Sequence, residues 1–429
     1  MTESAALPDA LASWWLSRSR EVARTWFGGG QIGLFAAIDR ELVLLDALVA
    51  ECDRDADPQR DAAALESIAL LWPHWAAGGR ILPVLARMRA LSARVGTSAA
   101  IGDAARLAQQ QAGWAYAWLA LCTDDVVAAD WGIELLRASM SVDPSASEAA
   151  KLAQITGIRA LHAGDADLAR ERLHAALEHH QGGEDADVFV DLSFLAAADS
   201  VAGDQEAAFD HCERAIALCD ERGERWIRTY VVWAFALSAW RDGNRHRAFV
   251  LALDGAEAAA DVGDEYACAL CVEVAGWYEC VEGDMRRGAR LLGAADALRA
   301  TSTMPLHFWG TGAQHADAIE HASRRLGRGL LEKELETGHA LGIIEASRSL
   351  FVPVVEQIDS SGIHPPPTPR QREIASLIAE GRSNKEIARL LLITVRTVES
   401  HIEHLFERLD VSSRAQVAAW SVREAMRRS

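Results

Sequence analysis

Small apolar residues stand in fixed register to glycines through the middle of the chain. Gly164, Gly203, Gly243 and Gly283 recur 39, 40 and 40 residues apart, each followed by Asp or Asn. Five positions after them come Ala169, Ala208, Ala248 and Gly288, and twelve positions after them Ala176, Ala215, Gly255 and Ala295. A seven-residue step returns to the same helix face after two turns. The pattern predicts helices that pack closely on their neighbours through small side chains. A second glycine series, Gly183, Gly223 and Gly263, falls about midway between the first. Two turn series offset by half a period predict two helices per repeat. Upstream, Thr123-Asp124 and Gly78-Gly79 stand near the expected phase but slip by a few residues, and the array is extended through them to the N-terminus. Such arrays present long surfaces that bind peptides, proteins or small effectors.

The pattern changes near the C-terminus. Val352 to Pro369 reads as a linker, with Pro353, Ser360-Ser361-Gly362 and Pro365-Pro366-Pro367, because proline runs cannot continue a helix. Thr368-Pro369-Arg370-Gln371 then places a capping Thr, a proline at the first helical position and a Gln three residues on. Ser383-Asn384-Lys385-Glu386 is a second capping box, following Gly381. Thr394 begins a third helix after a short break at Leu392-Ile393, and Ser413-Arg414-Ala415-Gln416 opens a fourth. On the third helix Val398, Ile402, Leu405 and Leu409 form the apolar stripe. Arg396, Thr397, Glu399, Ser400, His401 and Glu403 are left outside. Four short helices with a tight turn between the second and third predict a helix-turn-helix. The expected division is a repeat domain at 1–351, a linker at 352–365 and a helix-turn-helix domain at 366–429.

Charge sharpens this division. The chain carries −19 overall. Residues 366–429 hold 11 Lys+Arg and 8 Asp+Glu, or +3, which leaves −22 on the rest. A basic module on an acidic body points to nucleic-acid contact at that end alone. Half the residues are hydrophobic, which excludes a long disordered chain. The longest uncharged stretch, Leu107 to Thr123, is too short for a membrane span, and no export signal is read at the N-terminus. Seven cysteines suit a reducing cytoplasm.

The tail resembles the DNA-binding domain of LuxR-type transcription regulators. The resemblance rests on Thr368-Pro369-Arg370, Ile378-Ala379-Glu380-Gly381, Ser383 through Ala388, Thr397-Val398-Glu399-Ser400-His401 and Leu409 through Arg414. It implies that Asn384, Lys385, Thr394, Arg396 and Thr397 lie close to phosphates, that Glu399, Ser400 and Glu403 face bases, and that the helix from Arg414 pairs two domains. Positions 399 and 403 are often basic in that family, and here both are Glu. A carboxylate cannot donate to guanine but can accept from cytosine N4; Glu399 either does so or faces solvent beside the groove.

The body between Gly164 and Gly283 resembles tetratricopeptide-like repeats, with a period near 40 in place of 34 and without the proline that closes each repeat. The segments Ala289 to Arg299 and Leu71-Trp72-Pro73-His74-Trp75 look like the helical part of large actinobacterial LuxR regulators of the maltose-regulon activator type. No GxxxxGK[ST] loop can be drawn, since none of the three lysines, Lys151, Lys333 and Lys385, follows a glycine. Gly28-Gly29-Gly30 reads as a turn. The chain resembles the sensor and DNA-binding portion of such a regulator, without the nucleotide domain.

Other constellations carry less. Cys268, Cys271 and Cys280 fall in one repeat helix, where small core thiols are a better reading than a metal or redox site; Cys212 reads the same way. Glu178, His179 and His180 read as a solvated helix end. Trp14, Trp15, Trp26, Trp72, Trp75, Trp114 and Trp118 are expected mostly in the core, with an aromatic effector groove as the other reading. No nucleophile stands at a trusted spacing from a base, so no catalytic residue, metal or cofactor is assigned.

The expected fold is therefore all-α: a tetratricopeptide-like helical-repeat solenoid followed by a small four-helix helix-turn-helix domain. The expected function is sequence-specific transcription regulation. Its partners are double-stranded DNA, a second copy through the fourth helix, and a small-molecule or protein effector on the solenoid. The alternative is a repeat-based protein adaptor with a weak or vestigial DNA-binding tail.

Overall fold

The structure is a computed structural model. It describes residues 6–421 except 97–101, 181–182, 303, 305–310, 352–366, 392, 410–413, 415–416 and 419. Two compact units are present, residues 1–228 with 302–309 and residues 229–301 with 310–429. The described residues are all-α.

The first unit begins with α1 (Ala6–Thr25), α2 (Gln31–Arg54), α3 (Pro58–Leu70), α4 (Trp72–Ala77) and α5 (Ile81–Val95). It continues with α6 (Asp103–Cys122), α7 (Val126–Ser139), α8 (Ala146–His162), α9 (Ala166–His180), α10 (Asp185–Ala202) and α11 (Gln205–Arg222). The second unit opens with α12 (Arg228–Arg241), α13 (Arg245–Val262), α14 (Glu265–Val281) and α15 (Met285–Thr301). Next come α16 (Thr311–Leu326), α17 (Arg328–Ala340) and α18 (Ile343–Phe351). The last three are α19 (Pro369–Ala379), α20 (Asn384–Leu390) and α21 (Val395–Leu409).

The repeat register governs the helix pairs α6/α7, α8/α9, α10/α11 and α14/α15. Gly164, Gly203 and Gly243 adopt left-handed backbone, as do Gly223 and Gly263. The residue after each first-series turn then caps the next helix: Asp165 accepts from the Leu168 N–H at 3.0 Å, Asp204 from Ala207 at 3.2 Å and Asn244 from Arg247 at 3.1 Å. A side-chain acceptor there satisfies an amide that the helix itself leaves open. Upstream, the register reappears without a glycine. Asp124, 40 residues before Gly164, takes φ +58°, and Asp125 caps α7 through the Ala128 N–H at 2.9 Å. Gly283 departs from its series and has no positive φ. Its neighbour Glu279 folds its carboxylate back onto the Asp284 N–H at 2.7 Å, and a Cβ on Gly283 would meet that carboxylate.

All eight small positions are buried. A Cβ on Gly288 would stand 2.6 Å from the Cys280 nitrogen, and one on Gly255 2.6 Å from the Cys271 sulfur. In the first unit, a Cβ on Gly132 would lie 2.7 Å from the Ala117 nitrogen, so α6 and α7 touch backbone to backbone. Gly293, inside the segment Ala289 to Arg299, does the same job where α15 crosses α17: a Cβ there would come within 2.1 Å of the Leu335 oxygen.

Candidate nucleic-acid interface

The helix-turn-helix is built around Ile374, Ala375, Ile378, Ile387, Ala388, Val398, Ile402, Leu405, Val417 and Ala418, all buried, with Leu409 packed at the edge. Both capping boxes form. Thr368 Oγ1 accepts from the Gln371 N–H at 3.2 Å while Gln371 Oε1 accepts from the Thr368 N–H at 2.9 Å. Ser383 and Glu386 repeat this, with Glu386 Oε2 accepting from the Ser383 N–H at 2.6 Å. The Ser383 hydroxyl and amide bonds favour the Glu386 carboxylate and lower its pKa. Gly381 turns the chain at φ +76° between α19 and α20. The third helix starts at Val395 instead of Thr394, because Thr394 serves as its cap and accepts from the Thr397 N–H at 3.1 Å.

Two arginines, neither anticipated as structural, tie the helices together. Arg370 on α19 donates to the Leu391 carbonyl at 2.7 Å, just past the end of α20. Arg414 donates to Asn384 Oδ1 and to the Arg382 carbonyl, each at 2.7 Å. Their partners are 21, 30 and 32 residues away, so no local pattern announces them.

Lys385, Thr394, Arg396 and Thr397 are exposed, and Asn384 and His401 are half-buried. Asn384 and Lys385 open α20, while Arg396 and Thr397 occupy the first turn of α21 beside the Thr394 cap. Glu399, Ser400 and Glu403 lie on the backbone of α21, with side chains outside the described residues. The expected fourth helix is helical at Arg414, Val417, Ala418, Trp420 and Ser421; Ser413, Ala415 and Gln416 lie outside the described residues, as does the linker at 352–365.

A repeat helix of the same unit meets this module. Val250 on α13 packs against its core. A Cβ on Gly381 would stand 3.4 Å from Arg247 Cγ. His246 lies beside the Ile378 backbone and the Arg414 guanidinium, and burial together with that positive neighbour lowers its pKa to about 4. Burial also lowers Arg414, to about 10, against the favourable field of Tyr278 on α14.

The remaining candidate residues resolve into packing. Cys212, Cys268, Cys271 and Cys280 are buried free thiols, and burial pushes Cys280 up to about 12. Glu178 and His179 are exposed, but His180 corrects the solvated-terminus reading: it is buried, with Nδ1 2.6 Å from Asp191 Oδ2. Gln154 donates to the other Asp191 oxygen at 2.9 Å. This network satisfies a buried carboxylate, and its members come from three helices. Among the early tryptophans, Trp15, Trp26, Trp75 and Trp114 are buried, Trp72 and Trp118 half-buried, and Trp14 exposed. Trp72 meets Trp26, Trp114 and Trp118 edge-on at centroid distances of 5.2, 5.3 and 5.3 Å. The Gly28-Gly29-Gly30 turn forms as expected, and the Gly29 N–H donates to the Arg222 carbonyl at 3.1 Å.

Comparison with known proteins bears on both parts. Residues 367–421 match the family described as bacterial regulatory proteins, luxR family. A Mycobacterium bovis protein named as an HTH-type transcriptional regulator is 33% identical over 147 residues, 34% of this chain and 16% of that protein. The transcriptional regulatory protein LiaR of Bacillus subtilis is 39% identical over 111 residues, 26% of this chain and 46% of LiaR. The nitrate/nitrite response regulator NarL of Escherichia coli is 47% identical over 53 residues, 12% of this chain and 24% of NarL. The chain thus spans less than half the length of each of these relatives. A crystal structure of Rap protein complexed with competence and sporulation factor superposes with a TM-score of 0.52 at 11% identity, covering 92% of this chain and 99% of that one; the likeness is one of fold. Among the described residues no helix is long and apolar enough to cross a membrane. Residues 367–421 form a LuxR-family helix-turn-helix domain, joined in this chain to an all-α array of tetratricopeptide-like helix pairs.

Proposed function

We propose that the chain is a cytoplasmic, sequence-specific DNA-binding transcription regulator, not an enzyme. One observation carries this reading: a LuxR-family helix-turn-helix whose second and third helices, α20 and α21, present Lys385 and Arg396 to solvent at their N-terminal turns. Helix N-termini with basic side chains suit phosphates. In this reading Asn384, Lys385, Thr394, Arg396 and Thr397 hold the backbone, while Glu399, Ser400, His401 and Glu403 face the major groove. The helix from Arg414 pairs two copies. The repeat domain at 1–351 receives a small-molecule or protein effector, the linker at 352–365 transmits the change, and 366–429 binds DNA.

The contact of α13 with the helix-turn-helix supports a mechanism of release. Docked, the module has Arg414 and the Gly381 turn against repeat helices; an effector that binds the undocked state more tightly shifts the population toward it. The Rap structure, solved with competence and sporulation factor, favours a repeat array that takes a partner. It also keeps the adaptor with a vestigial tail as the second reading.

The test is selection of genomic fragments by the full chain at low and near-physiological salt, beside Lys385→Ala and Arg396→Ala. Enrichment of one pseudo-palindrome, with affinity that falls steeply as salt rises and falls further in both variants, is expected. No enrichment at either salt overturns the regulator reading in favour of the adaptor.

A further inference from the structure

Between α7 and α9, on the face of α8 opposite Lys151 and Gln154, lies a pocket of about 440 Å³. Its α8 lining, Ala149, Leu152, Ala153 and Thr156, follows the three- and four-residue helical step and so shares one face. Small Ala149 and Ala153 leave the space that Met140, Pro144 and Leu168 enclose. Thr156, the one hydroxyl in the lining, donates to the Leu152 carbonyl at 2.7 Å and so commits its proton within the helix. The interior is otherwise apolar. Apolar surface also continues outward, for Leu168 is 38% exposed and Val142, in the loop between Met140 and Pro144, is fully exposed.

Two guanidinium groups border this apolar floor. Arg137, from the last turn of α7, is bonded to Glu134 at 2.5 Å, which occupies one arm of its fork. Arg172, from α9, has Glu171 at 3.9 Å, beyond hydrogen-bond reach. Both are about half exposed. In a body carrying −22 over residues 1–365, the charged side chains that line this pocket are both arginines, with their Glu neighbours outside the lining. A sugar, or the base and ribose of a nucleotide, would find few hydrogen-bond partners on this apolar lining, and the two guanidinium groups disfavour a cationic head over an anionic one. A neutral hydrocarbon would leave the guanidinium donors unused, whereas a carboxylate takes them two at a time.

We propose that this pocket binds an amphiphile with one carboxylate and an unbranched apolar tail, the tail along Leu152, Ala153 and Leu168 and the head between Arg137 and Arg172. The site goes beyond the DNA-binding reading and is tested without DNA.

The experiment titrates the full chain with decanoate below its micelle-forming concentration, with decanol and decylammonium as controls. Expected is saturable binding of one decanoate, weaker binding of decanol and none of decylammonium. The double variant Arg137→Gln, Arg172→Gln should lose about tenfold in decanoate affinity, the worth of charge-assisted bonds, and leave decanol binding unmoved. Ala153→Phe, which fills the pocket and keeps both charges, should abolish both. An unchanged circular-dichroism melt establishes that the variants fold. Equal affinity for decanoate and decanol, decanoate binding indifferent to the arginines, or no binding to the wild-type chain overturns the proposal.

Discussion

The Arg414 guanidinium bridges Asn384 Oδ1 and the Arg382 carbonyl at 2.7 Å each, joining the start of the fourth helix to the turn that opens α20. The bond takes up the Asn384 amide oxygen as acceptor, and the NH2 end of that amide can only donate. Arg414→Ala should destabilise the helix-turn-helix by about 1.5–3 kcal/mol, the range for hydrogen bonds to a charged group, and weaken DNA binding. Arg414→Lys should not rescue it, because a point charge cannot span two acceptors as a fork does. Thermal unfolding of the full chain and a DNA titration check both; a fully stable Lys variant would remove the fork argument.

Val250 connects α13 with the core of the module. Val250→Glu places a charge in that apolar contact, at a cost that should raise the undocked population and the DNA affinity of the full chain about tenfold. Affinity equal to wild type would show that docking and DNA binding are compatible.

His246 makes the same contact sensitive to pH. Its pKa is lowered by burial and by Arg414 beside it, from the ordinary 6.5 to about 4. The docked state therefore excludes a proton that the undocked state accepts. Docking is at full strength above pH 6.5 and is lost as pH falls toward 4. Hydrogen exchange of α19 and α20 in the full chain, compared at pH 7.5 and pH 5, should be faster at pH 5 after correction for intrinsic rates. His246→Phe should flatten the difference.

Glu148 is set the other way. Burial works against its charge, but the Ser145 and Ser141 amides and hydroxyls prevail and hold it at about 2. Its contribution is present above 4.5 and lost as pH falls toward 2. Glu148→Gln should lower the melting temperature of the first unit at pH 7, and the gap to wild type should close between pH 4.5 and 2.

Gly288 and Gly329 form a matched pair on the repeat geometry. Gly288→Val puts a branched side chain where even a Cβ meets the Cys280 backbone at 2.6 Å, and should cost about 1–3 kcal/mol or more. Gly329 on α17 faces open space without positive φ, so Gly329→Ala should be neutral or stabilise by about 0.5–1 kcal/mol. Chemical denaturation distinguishes them; equal effects would contradict the close packing of α14 and α15.

What the sequence determined by itself was local or periodic. Turn glycines, cap residues and the seven-residue step of small side chains act within one helix or between chain neighbours, so the repeat register, both capping boxes and the apolar stripe of α21 could be read directly. The Asp124 turn shows the limit, since its register holds while the residue that marks it changes. Tertiary structure decided which distant faces meet. Arg414 finds Asn384 across 30 residues, His180 turns inward because Asp191 on the next helix offers a buried carboxylate, and Gly293 matters because α17 crosses there. The docking of α13 and the pocket bordered by Arg137 and Arg172 belong to the same class. These depend on the shapes and charges of surfaces brought together by packing, which no pattern along one segment encodes.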